Sequence, residues 1–522
     1  MIRIRDISLS PQHNPNQLLF EAAKLLKISG SKIKKLSLVR RSIDARKKPD
    51  VRIIYTVDVA VDGSEQKILR QSGCKRASIA QKTYYEVPKA VSDQRPVVVG
   101  FGPAGMFAAL VLALSGLRPI VLERGEDAKT RHEKVSHFFK TGQLDTRSNV
   151  QFGEGGAGTF SDGKLNTGVN NVRIGWILEQ FVKAGAAEDI LFDAKPHIGT
   201  DVLLEVVQNL RQRIISLGGE VHFNTQVTGI CTEGNVLTDL ETNQGHIPCN
   251  NAIFAIGHSA RDTFKMLNDL GVKMEPKPFS MGVRIEHKQK TIDAAQYGSL
   301  ELPLPPADYK LVKHLDNETV YTFCMCPGGY VVAAASEDGG VVTNGMSYAD
   351  RSGENANAAL LVTLNPDDFP FDGVLGGMQW QRQIEQRAYA ISNSYRAPAQ
   401  LVGDFLAHRA SSGAGSVEPT YRPGVTWCDL HDVLPTKITD ALAQALPQLD
   451  RNLKGFADAD AVLTAPETRS SSPVRILRDD VRMGSIKGFY PAGEGAGYAG
   501  GIMSAAIDGM LSAEALIAAL NA

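Results

Sequence analysis

A glycine cluster near residue 100 has the spacing that binds the phosphates of a dinucleotide. In "VVVGFGPAGMFAALVLA", Gly100, Gly102 and Gly105 lie between an apolar run and an apolar segment of helical character. The residues between them are Phe101, Pro103 and Ala104. In this pattern the first glycine permits a tight turn, the second lets a pyrophosphate approach the backbone, and the third lets helix and strand pack closely. Free N–H groups at the helix start then face the phosphates.

An acidic residue follows the glycine cluster at the sequence separation expected of a carboxylate that binds the ribose. The next apolar run, "RPIVLERG", leads into Glu123, where a carboxylate binds the ribose 2′-hydroxyl. An acid at this place favours a ribose that carries no 2′-phosphate. Arg124 and Arg131 come next and are candidates to reach the adenine or a phosphate, with a plain surface role as the alternative.

Two later motifs favour FAD over NAD. The segments "VHFNTQVTGI", which contains Val227, and "NAIFAIGHSARD" have the pattern of β-meander strands, and the second continues into Ala255 and Gly257. Near the C-terminus "FYPAGE" brings Gly493 and Glu494, and a helix starts at Gly500, Gly501 and Ile502. Backbone N–H groups at this helix start would stabilise negative charge on a reduced flavin. A single NAD site has no use for such a second contact.

With these motifs, residues from about 95 to the end resemble FAD-dependent oxidoreductases of the glutathione-reductase-like superfamily, which have two dinucleotide-binding folds. More narrowly, the chain is similar to a group of bacterial FAD-dependent dehydrogenases whose substrate is unassigned. The narrower marks are "QFGEGGAGTFSDGKLNT", "KPFSMGVRIEH", "TFCMCPGGYVVAA" and "YPAGEGAGYAGGI". The resemblance implies that Glu494 binds the ribityl chain, where relatives usually have Asp.

The resemblance also gives a role to a second glycine-rich loop, "GEGGAGTFSDGKL". In relatives this loop wraps the pyrophosphate and the flavin edge, which places Gly158, Thr159, Ser161 and Lys164 near the cofactor. A mobile loop with a solvated lysine is the alternative. A second nucleotide-binding fingerprint is missing, so either NADH or NADPH docks transiently as the electron donor, or the substrate itself reduces the flavin. A small organic substrate would lie between the flavin and the inserted middle region.

The catalytic residues are not identified by the sequence, and Cys324, Cys326 and His258 are the candidates. In an extended segment the two cysteines of "YTFCMCPGGYVV" share a face. They could form a redox dithiol, hold a metal, or be small buried side chains. The last alternative is favoured because free cysteine is usually buried, and no metal site is predicted because no matching Cys/His pair is evident. His287 and His408 are weaker candidates for acid–base chemistry, and Arg475 for binding an anionic substrate.

These motifs must be positioned by several domains, since 522 residues exceed one hydrophobic core. The sequence predicts an α/β protein: a Rossmann-like FAD-binding domain with a β-meander, an inserted α+β cap domain, and a small basic N-terminal α+β domain. The predicted boundaries are 1–91 for the N-terminal domain, 92–265 and 481–522 for the two parts of the FAD-binding domain, and 266–480 for the cap.

Charge is divided unevenly along the chain. Residues 1–91 hold 19 Lys/Arg against 8 Asp/Glu, and the remainder holds 37 against 49. The front segment therefore either faces an anionic partner or docks on the acidic remainder. A basic cluster supports an alternative in which a flavoprotein binds or modifies RNA, and it consists of Arg40, Arg41, Arg46, Lys47, Lys48 and Arg52. A further alternative is a purely structural FAD.

Composition also bears on the compartment. Six cysteines in a chain of this length suggest reduced thiols and a cytoplasmic location. The apolar stretch "MFAALVLALSGL" falls short of the roughly 20 residues that a membrane helix needs, so we expect no membrane contact.

Overall fold

The structure is a computed structural model that describes residues 1–81, 83–298 and 302–522. The first segment folds as an antiparallel sheet of order β2-β3-β1-β4 covered by two helices. Its elements are β1 (Ile2–Leu9), α1 (Gln17–Leu26), β2 (Ile33–Asp44), β3 (Arg52–Val61), α2 (Glu65–Ser72) and β4 (Ala77–Ile79). Alternate residues of β1, such as Ile2 and Ile4, are buried, because one face of the sheet packs on α1 through Leu18, Ala22 and Leu26.

The N-terminal sheet docks on the rest of the chain through β2. The Arg41 guanidinium makes two hydrogen bonds to the Asp193 carboxylate, at 2.6 and 2.8 Å. The backbone N–H of Arg41 donates to the Phe192 carbonyl at 2.7 Å, and the Ala194 N–H donates to the Arg41 carbonyl at 2.8 Å. Part of the basic charge of this segment therefore contacts acidic groups elsewhere in the same chain.

The second segment builds a parallel sheet of order β23-β11-β5-β6-β7, in which β23 (Phe489–Pro491) comes from the far end of the chain. Its elements are β5 (Val97–Val99), α3 (Pro103–Leu114), β6 (Ile120–Leu122), α4 (Ala128–Thr141), α5 (Arg173–Lys183), α6 (Thr200–Ser216), β7 (Glu220–His222), β8 (Val227–Glu233), β9 (Val236–Thr242), β10 (Gly245–Pro248), β11 (Ala252–Phe254) and α7 (Arg261–Asp269). Helix α3 is buried over most of its length, which explains its continuous apolar sequence.

The prediction of β-meander strands is wrong for one of its two segments. Strand β8 does pair antiparallel with β9, and β10 completes a three-stranded sheet. Strand β11 instead runs parallel between β5 and β23. All three residues of β11 are fully buried, as expected of a strand covered on both faces of a parallel sheet.

The third segment is built around a mixed sheet of order β14-β15-β18-β13-β21-β19-β20. Its elements are β12 (Met274–Pro276), β13 (Phe279–Lys288), α8 (Gln289–Tyr297), β14 (Val312–His314), β15 (Thr319–Cys326), β16 (Tyr330–Ala333), β17 (Thr343–Met346), β18 (Asn355–Leu364), α9 (Gly376–Ala390), β19 (Ala397–Leu401), α10 (Val402–Leu406), β20 (Val425–Trp427), α11 (Thr436–Asp450), β21 (Val462–Glu467) and β22 (Val474–Ile476). The ten-residue strand β13 pairs along its whole length with β18.

The chain ends with β23 (Phe489–Pro491) and α12 (Ile502–Asn521). Short 3₁₀ turns lie at Gly30–Lys32, Gly156–Phe160, Glu188–Leu191, Pro366–Asp368 and Leu430–Asp432. Helix α12 lies along α3, and a Cβ at Gly509 would stand only 2.0 Å from the Ala104 carbonyl oxygen. In length and mean hydropathy α12 could cross a membrane, but 61% of its most apolar window is buried in the protein, as in a core helix. The mixed α/β class predicted from the sequence is confirmed.

Candidate functional site

The carboxyl ends of the parallel strands open onto one large cavity of about 330 Å³. Because parallel strands end at the same edge of a sheet, Gly100, Glu123, Ala255 and Gly493 come together there. The opposite wall comes from the third segment, at Phe323, Cys324, Asn344, Glu467, Arg469 and Ser470. The volume lies within the range of small-molecule and cofactor sites, roughly 300–1,000 Å³.

The turn after β5 brings backbone to the cavity surface. Gly100 has φ +93°, and a Cβ there would lie 2.4 Å from the Ala255 carbonyl oxygen. A Cβ at Gly105 would lie 1.9 Å from the Gly100 carbonyl oxygen, so close packing of helix on turn requires glycine. Gly102 caps α3 and lines the cavity together with Phe101, Pro103 and Ala104. The free N–H groups of the α3 start therefore face the cavity.

Beneath this turn, the Glu123 carboxylate accepts hydrogen bonds from the backbone of three loops. Its Oε2 accepts a hydrogen bond from the Phe101 N–H at 2.8 Å, and its Oε1 accepts from the N–H groups of Gly125 and Gly153 at 2.9 and 3.0 Å. A carboxylate has about four acceptor positions, so three backbone bonds leave one for a hydroxyl in the cavity. Glu123 lines the cavity at 5% exposure. The side chain can thus hold the loops and still bind a ribose.

The structure corrects the predicted role of Arg131. This side chain is fully buried and does not line the cavity. Its guanidinium donates to five backbone carbonyls at the start of the second glycine-rich loop and just before it, those of Asn149, Val150, Gly153, Glu154 and Gly156, at 2.6 to 3.4 Å. Burial lowers the pKa of Arg131 to about 10, while Glu123 and Glu154 act in the opposite direction. Arg131 shapes the loop rather than contacting a bound molecule.

The second glycine-rich loop lies against the first. A Cβ at Gly156 would stand 2.9 Å from the Cα of Gly102, so the two loops touch through backbone. Gly158, Ser161 and Lys164 line the cavity. Thr159 does not line it: this side chain is buried, and its hydroxyl donates to the Glu154 carbonyl at 3.3 Å. The Lys164 ammonium donates to the Met325 carbonyl, which joins this loop to the third segment.

The C-terminal turn between β23 and α12 also reaches the cavity. Gly493, Glu494, Gly500, Gly501 and Ile502 all line it, and Gly501 caps α12 with φ +107°. The Gly493 N–H donates to the Asp508 carboxylate at 2.7 Å. Asp508 in turn accepts two hydrogen bonds from Arg478, at 2.8 and 3.0 Å, and one from Arg482. The starts of α3 and α12 therefore point into one cavity.

The loops after β11 and β23 supply a polar pair, His258 and Glu494. Val227, Ala255 and Gly257 line the cavity, and His258 lies there too. The Nδ1 atom of His258 is 3.5 Å from Glu494 Oε1, and its Nε2 is buried without a hydrogen-bond partner in the structure. A buried ring nitrogen of this kind fits a cavity that holds a polar ligand. Arg124 lines the cavity as well, but its guanidinium pairs with Asp262 at 3.0 and 3.1 Å.

A buried ion-pair network fixes the wall contributed by the third segment. The Glu385 carboxylate accepts hydrogen bonds from Arg261 of α7 at 2.8 Å and from Arg469 at 2.8 and 3.0 Å. All three side chains are at least 97% buried. Although burial acts to raise it, the pKa of Glu385 is lowered by the charges of Arg261 and Arg469. This network joins the second segment to the third beside the cavity.

Other predicted catalytic candidates divide into those at the cavity and those away from it. Cys324 lines the cavity and Cys326 is fully buried behind it. His287 is buried away from the cavity, with Nε2 2.7 Å from the Phe456 carbonyl, and burial lowers the pKa of His287 to about 4. The His408 ring packs at a tilt against the His431 ring and also lies outside the cavity, as does Arg475. The structure therefore does not bring these last three side chains to the cavity.

Sequence reasoning missed several residues that build the site. Asp508 and Arg478 anchor the C-terminal turn, while Gln151 and Arg469 line the cavity. An aspartate in the otherwise apolar "SAAIDGMLSA" was a usable signal, because a charge inside a buried helix requires a partner. Arg469 had no such signal, since its partner Glu385 is 84 residues away.

Comparison with known proteins identifies two segments. Residues 278–470 match the family model described as "FAD-dependent protein, C-terminal domain-like". Residues 1–60 match a domain of unknown function. The first match confirms the prediction of an FAD-dependent fold, while it does not confirm the narrower glutathione-reductase-like superfamily.

A relative of nearly the same length exists in Clostridium beijerinckii. This protein, which is uncharacterised, is 46% identical over 525 aligned positions that cover 99% of this chain and 98% of the relative. Among solved structures, CtdE in complex with FAD overlaps at 11% identity and a TM-score of 0.32, covering 81% of this chain and 84% of CtdE. Glycine oxidase from Bacillus cereus overlaps at 12% identity and a TM-score of 0.31, covering 82% and 95%. TM-scores this low do not by themselves establish a shared fold.

Replacing Arg131 should destabilise the glycine-rich loop. Arg131→Met leaves buried carbonyls without donors, and we expect it to lower the free energy of unfolding by about 3 kcal/mol or more. Thermal unfolding followed by circular dichroism measures the change. Arg147→Met, at an exposed position of the same loop region, is the matched control. Equal unfolding temperatures for the two variants would contradict the role given to Arg131.

Replacing Glu123 should weaken FAD binding. In Glu123→Gln an amide NH₂ faces backbone N–H donors, and a hydrogen bond to a charged group is lost, which costs about 1.5–3 kcal/mol. We therefore expect the FAD dissociation constant to increase about tenfold to hundredfold. Titration of the flavin-free protein with FAD, followed by flavin fluorescence, gives the constant. Glu133→Gln on the exposed surface of α4 should behave as the wild type. An unchanged constant in Glu123→Gln would show that this carboxylate does not support the site.

Proposed function

The chain belongs to the family of the Clostridium beijerinckii protein, and its residues 278–470 resemble the C-terminal domain of FAD-dependent proteins; from this premise we propose that it is an FAD-dependent oxidoreductase. It transfers a hydride or two electrons between a small organic substrate and the flavin. The observation that supports this best is the cavity itself, at which the starts of α3 and α12 and both glycine-rich loops meet under a wall from residues 278–470. Bound FAD supplies a reversible acceptor of two electrons.

The chain's own residues bind and orient this group. The N–H groups at the start of α3, after Gly102, offer partial positive charge to the phosphates, and Glu123 offers its remaining acceptor position to the ribose. Glu494, beside His258, is the candidate for the ribityl chain. The N–H groups of Gly501 and Ile502 stabilise negative charge on the reduced ring. The wall of the third segment limits water at the opposite side.

The electron donor is either a nicotinamide dinucleotide or the substrate itself. No second nucleotide-binding glycine motif precedes a helix elsewhere in the sequence. NADH or NADPH therefore binds transiently at the cavity, or the substrate reduces the flavin directly. A reducing compartment such as the cytoplasm agrees with six free cysteines.

Contacts within the chain account for much of the basic N-terminal cluster. Arg41 pairs with Asp193, Arg46 with Asp44 and Arg52 with Asp50. Lys48 donates to the Ala295 carbonyl. Arg41 and Lys48 therefore contact the remainder of the chain, whereas Arg46 and Arg52 pair within the N-terminal segment. These contacts disfavour an RNA-binding face, because paired arginines offer less charge to phosphates.

The absorption spectrum of the purified protein tests the cofactor, and anaerobic addition of NADH or NADPH tests the donor. We expect one FAD per chain and bleaching of the visible flavin band by at least one of the two donors or by a substrate. A colourless protein that takes up no FAD from an excess would overturn the proposed function. A flavin that no donor reduces and no acceptor reoxidises would point to a structural FAD.

A single added side chain should block the site without unfolding the protein. A Cβ at Gly102 meets nothing closer than 3.6 Å, so Gly102→Val fits the fold while its methyl groups occupy the phosphate approach. We expect FAD affinity to fall about tenfold or more, by overpacking against the cofactor. Gly175→Val on α5, where a Cβ also has open space, is the control and should bind FAD normally. Equal FAD affinity in both variants would contradict this placement of the phosphates.

A further inference from the structure

The two cysteines of "YTFCMCPGG" lie at an irregular point of the sheet beside the cavity. Strand β15 pairs Phe323 with Ala359 and Cys326 with Asn357, so three steps on β15 oppose two on β18. This β-bulge breaks the alternation that the sequence predicted for the pair. Cys324 has φ +40°, which is unusual for a residue other than glycine and costs conformational energy. Such strain occurs mainly where the surrounding structure holds a side chain for a function.

A fully buried guanidinium stands behind the two thiols. Arg284 on β13 donates to the Cys324 carbonyl at 2.7 Å and approaches Cys326 Sγ at 3.5 Å through the same Nη2. Its other nitrogens bind Asn357 at 2.9 Å and Glu467 at 3.1 Å. A Cβ at Gly345 would stand 1.9 Å from Nη2, so this glycine makes room for the cation. Arg284 is always charged and is completely removed from water.

The anions available to this buried cation are few. Glu467 pairs with Arg284 at 3.1 Å, and burial raises the pKa of this carboxyl to about 7. Asp162 already pairs with Arg351 at 2.6 and 3.1 Å and accepts from the Ser347 hydroxyl. A thiolate at Cys324 would add a further negative charge that the Arg284 cation favours. The Lys164 ammonium, bound to the Met325 carbonyl, adds a second cation at the same point.

The surroundings make the two thiols unequal. The Cys326 thiol donates to the Cys324 backbone carbonyl at 3.3 Å. The neighbouring Cys326 thiol, together with the charges of Arg284 and Lys164, lowers the pKa of Cys324, although burial opposes this. The neighbouring Cys324 and burial raise the pKa of Cys326. Cys324 is partly exposed at the cavity, whereas Cys326 is 0% exposed. One accessible thiolate beside one protonated thiol is the arrangement of a dithiol that can form a disulfide.

We propose that Cys324 and Cys326 form a redox-active pair that exchanges two electrons with the flavin by closing and opening a disulfide. This inference rests on the proposed function and adds the thiol–disulfide pair to the same site. A metal at the pair is disfavoured, because the Arg284 guanidinium lies 3.5 Å from Cys326 Sγ and would repel a cation. Two merely buried side chains would not need the strained backbone at Cys324 or its place in the cavity wall.

The exchange balances without a further reagent. The Cys326 S–H bond breaks and one S–S bond forms between Cys326 and the Cys324 thiolate. The oxidation releases two electrons and one proton, and the oxidised flavin accepts all three as a singly anionic reduced ring. The helix start at Gly501 and Ile502 stabilises that charge. Reoxidation of the flavin by an external acceptor leaves the disulfide ready for a reduced donor.

Alkylation of the reduced protein tests the thiolate independently of flavin activity. Iodoacetamide is applied over a range of pH and the modified residues are identified by mass spectrometry. We expect Cys324 to react first, with an inflection well below the ordinary thiol value of about 8.5. Cys249 and Cys428, whose pKa burial raises to about 12 and about 11, should react last. An ordinary inflection at Cys324 would overturn the proposed thiolate.

Counting electrons tests the disulfide. The air-oxidised holoenzyme is titrated anaerobically with dithionite, and the wild type should take up two equivalents per flavin. Cys324→Ser and Cys326→Ser should each take up half as much, and Cys74→Ser, in the N-terminal segment, should match the wild type. Mass spectrometry of the oxidised wild type should show the peptide with Cys324 and Cys326 two hydrogens lighter and closed to alkylation. If one cysteine variant fails to fold, the other variant and the number of dithionite equivalents taken up by the wild type still test the disulfide.

The outcomes separate the inference from the proposed function. A flavin that is reduced and reoxidised while the wild type takes up one equivalent would leave the oxidoreductase intact and overturn the dithiol pair. A protein that binds no FAD would overturn both. Uptake of two equivalents with a closed disulfide supports both.

Discussion

The site depends on direct contact between the backbones of two helices that are far apart in sequence. Helix α12 can lie on α3 because Gly509 has no side chain at the place where Ala104 presents its carbonyl, and a Cβ would stand 2.0 Å from that oxygen. This contact aligns the two helix starts at one cavity, so that their unpaired N–H groups face the same space. Any residue larger than glycine at 509 would separate the helices and divide the site.

Buried charge then holds the loops around these helix starts. Glu123 accepts from three backbone N–H groups, Arg131 donates to five carbonyls, and Asp508 joins Gly493 to Arg478. Glu123 and Arg131 are satisfied by backbone groups, and Asp508 by one backbone N–H and two arginines, Arg478 and Arg482. Because an unpaired buried charge is costly, the loops have little freedom to move apart. The cavity is therefore preorganised for a ligand rather than assembled around it.

The first glycine turn, Glu123 and the C-terminal turn could be predicted from sequence because local spacing and strand order determine where they lie. Arg131, from its sequence position after the ribose acid, was a candidate for contact with the adenine or a phosphate, with a surface role as the alternative. Its actual role depends on the return of residues 149–156 over α4, which spacing does not encode. The pairing of β11 with β23 and the bulge at Cys324 were likewise out of reach, since both depend on strands more than 30 residues away.

Hydrogen exchange measured by mass spectrometry, with and without FAD, tests most directly whether the starts of α3 and α12 bind the same FAD molecule. FAD should slow exchange in three separate peptides, those covering 100–105, 153–164 and 493–503, and should leave residues 1–79 unchanged. Protection of peptide 100–105 without peptide 493–503, or protection of neither, would contradict a single FAD bound by both helix starts.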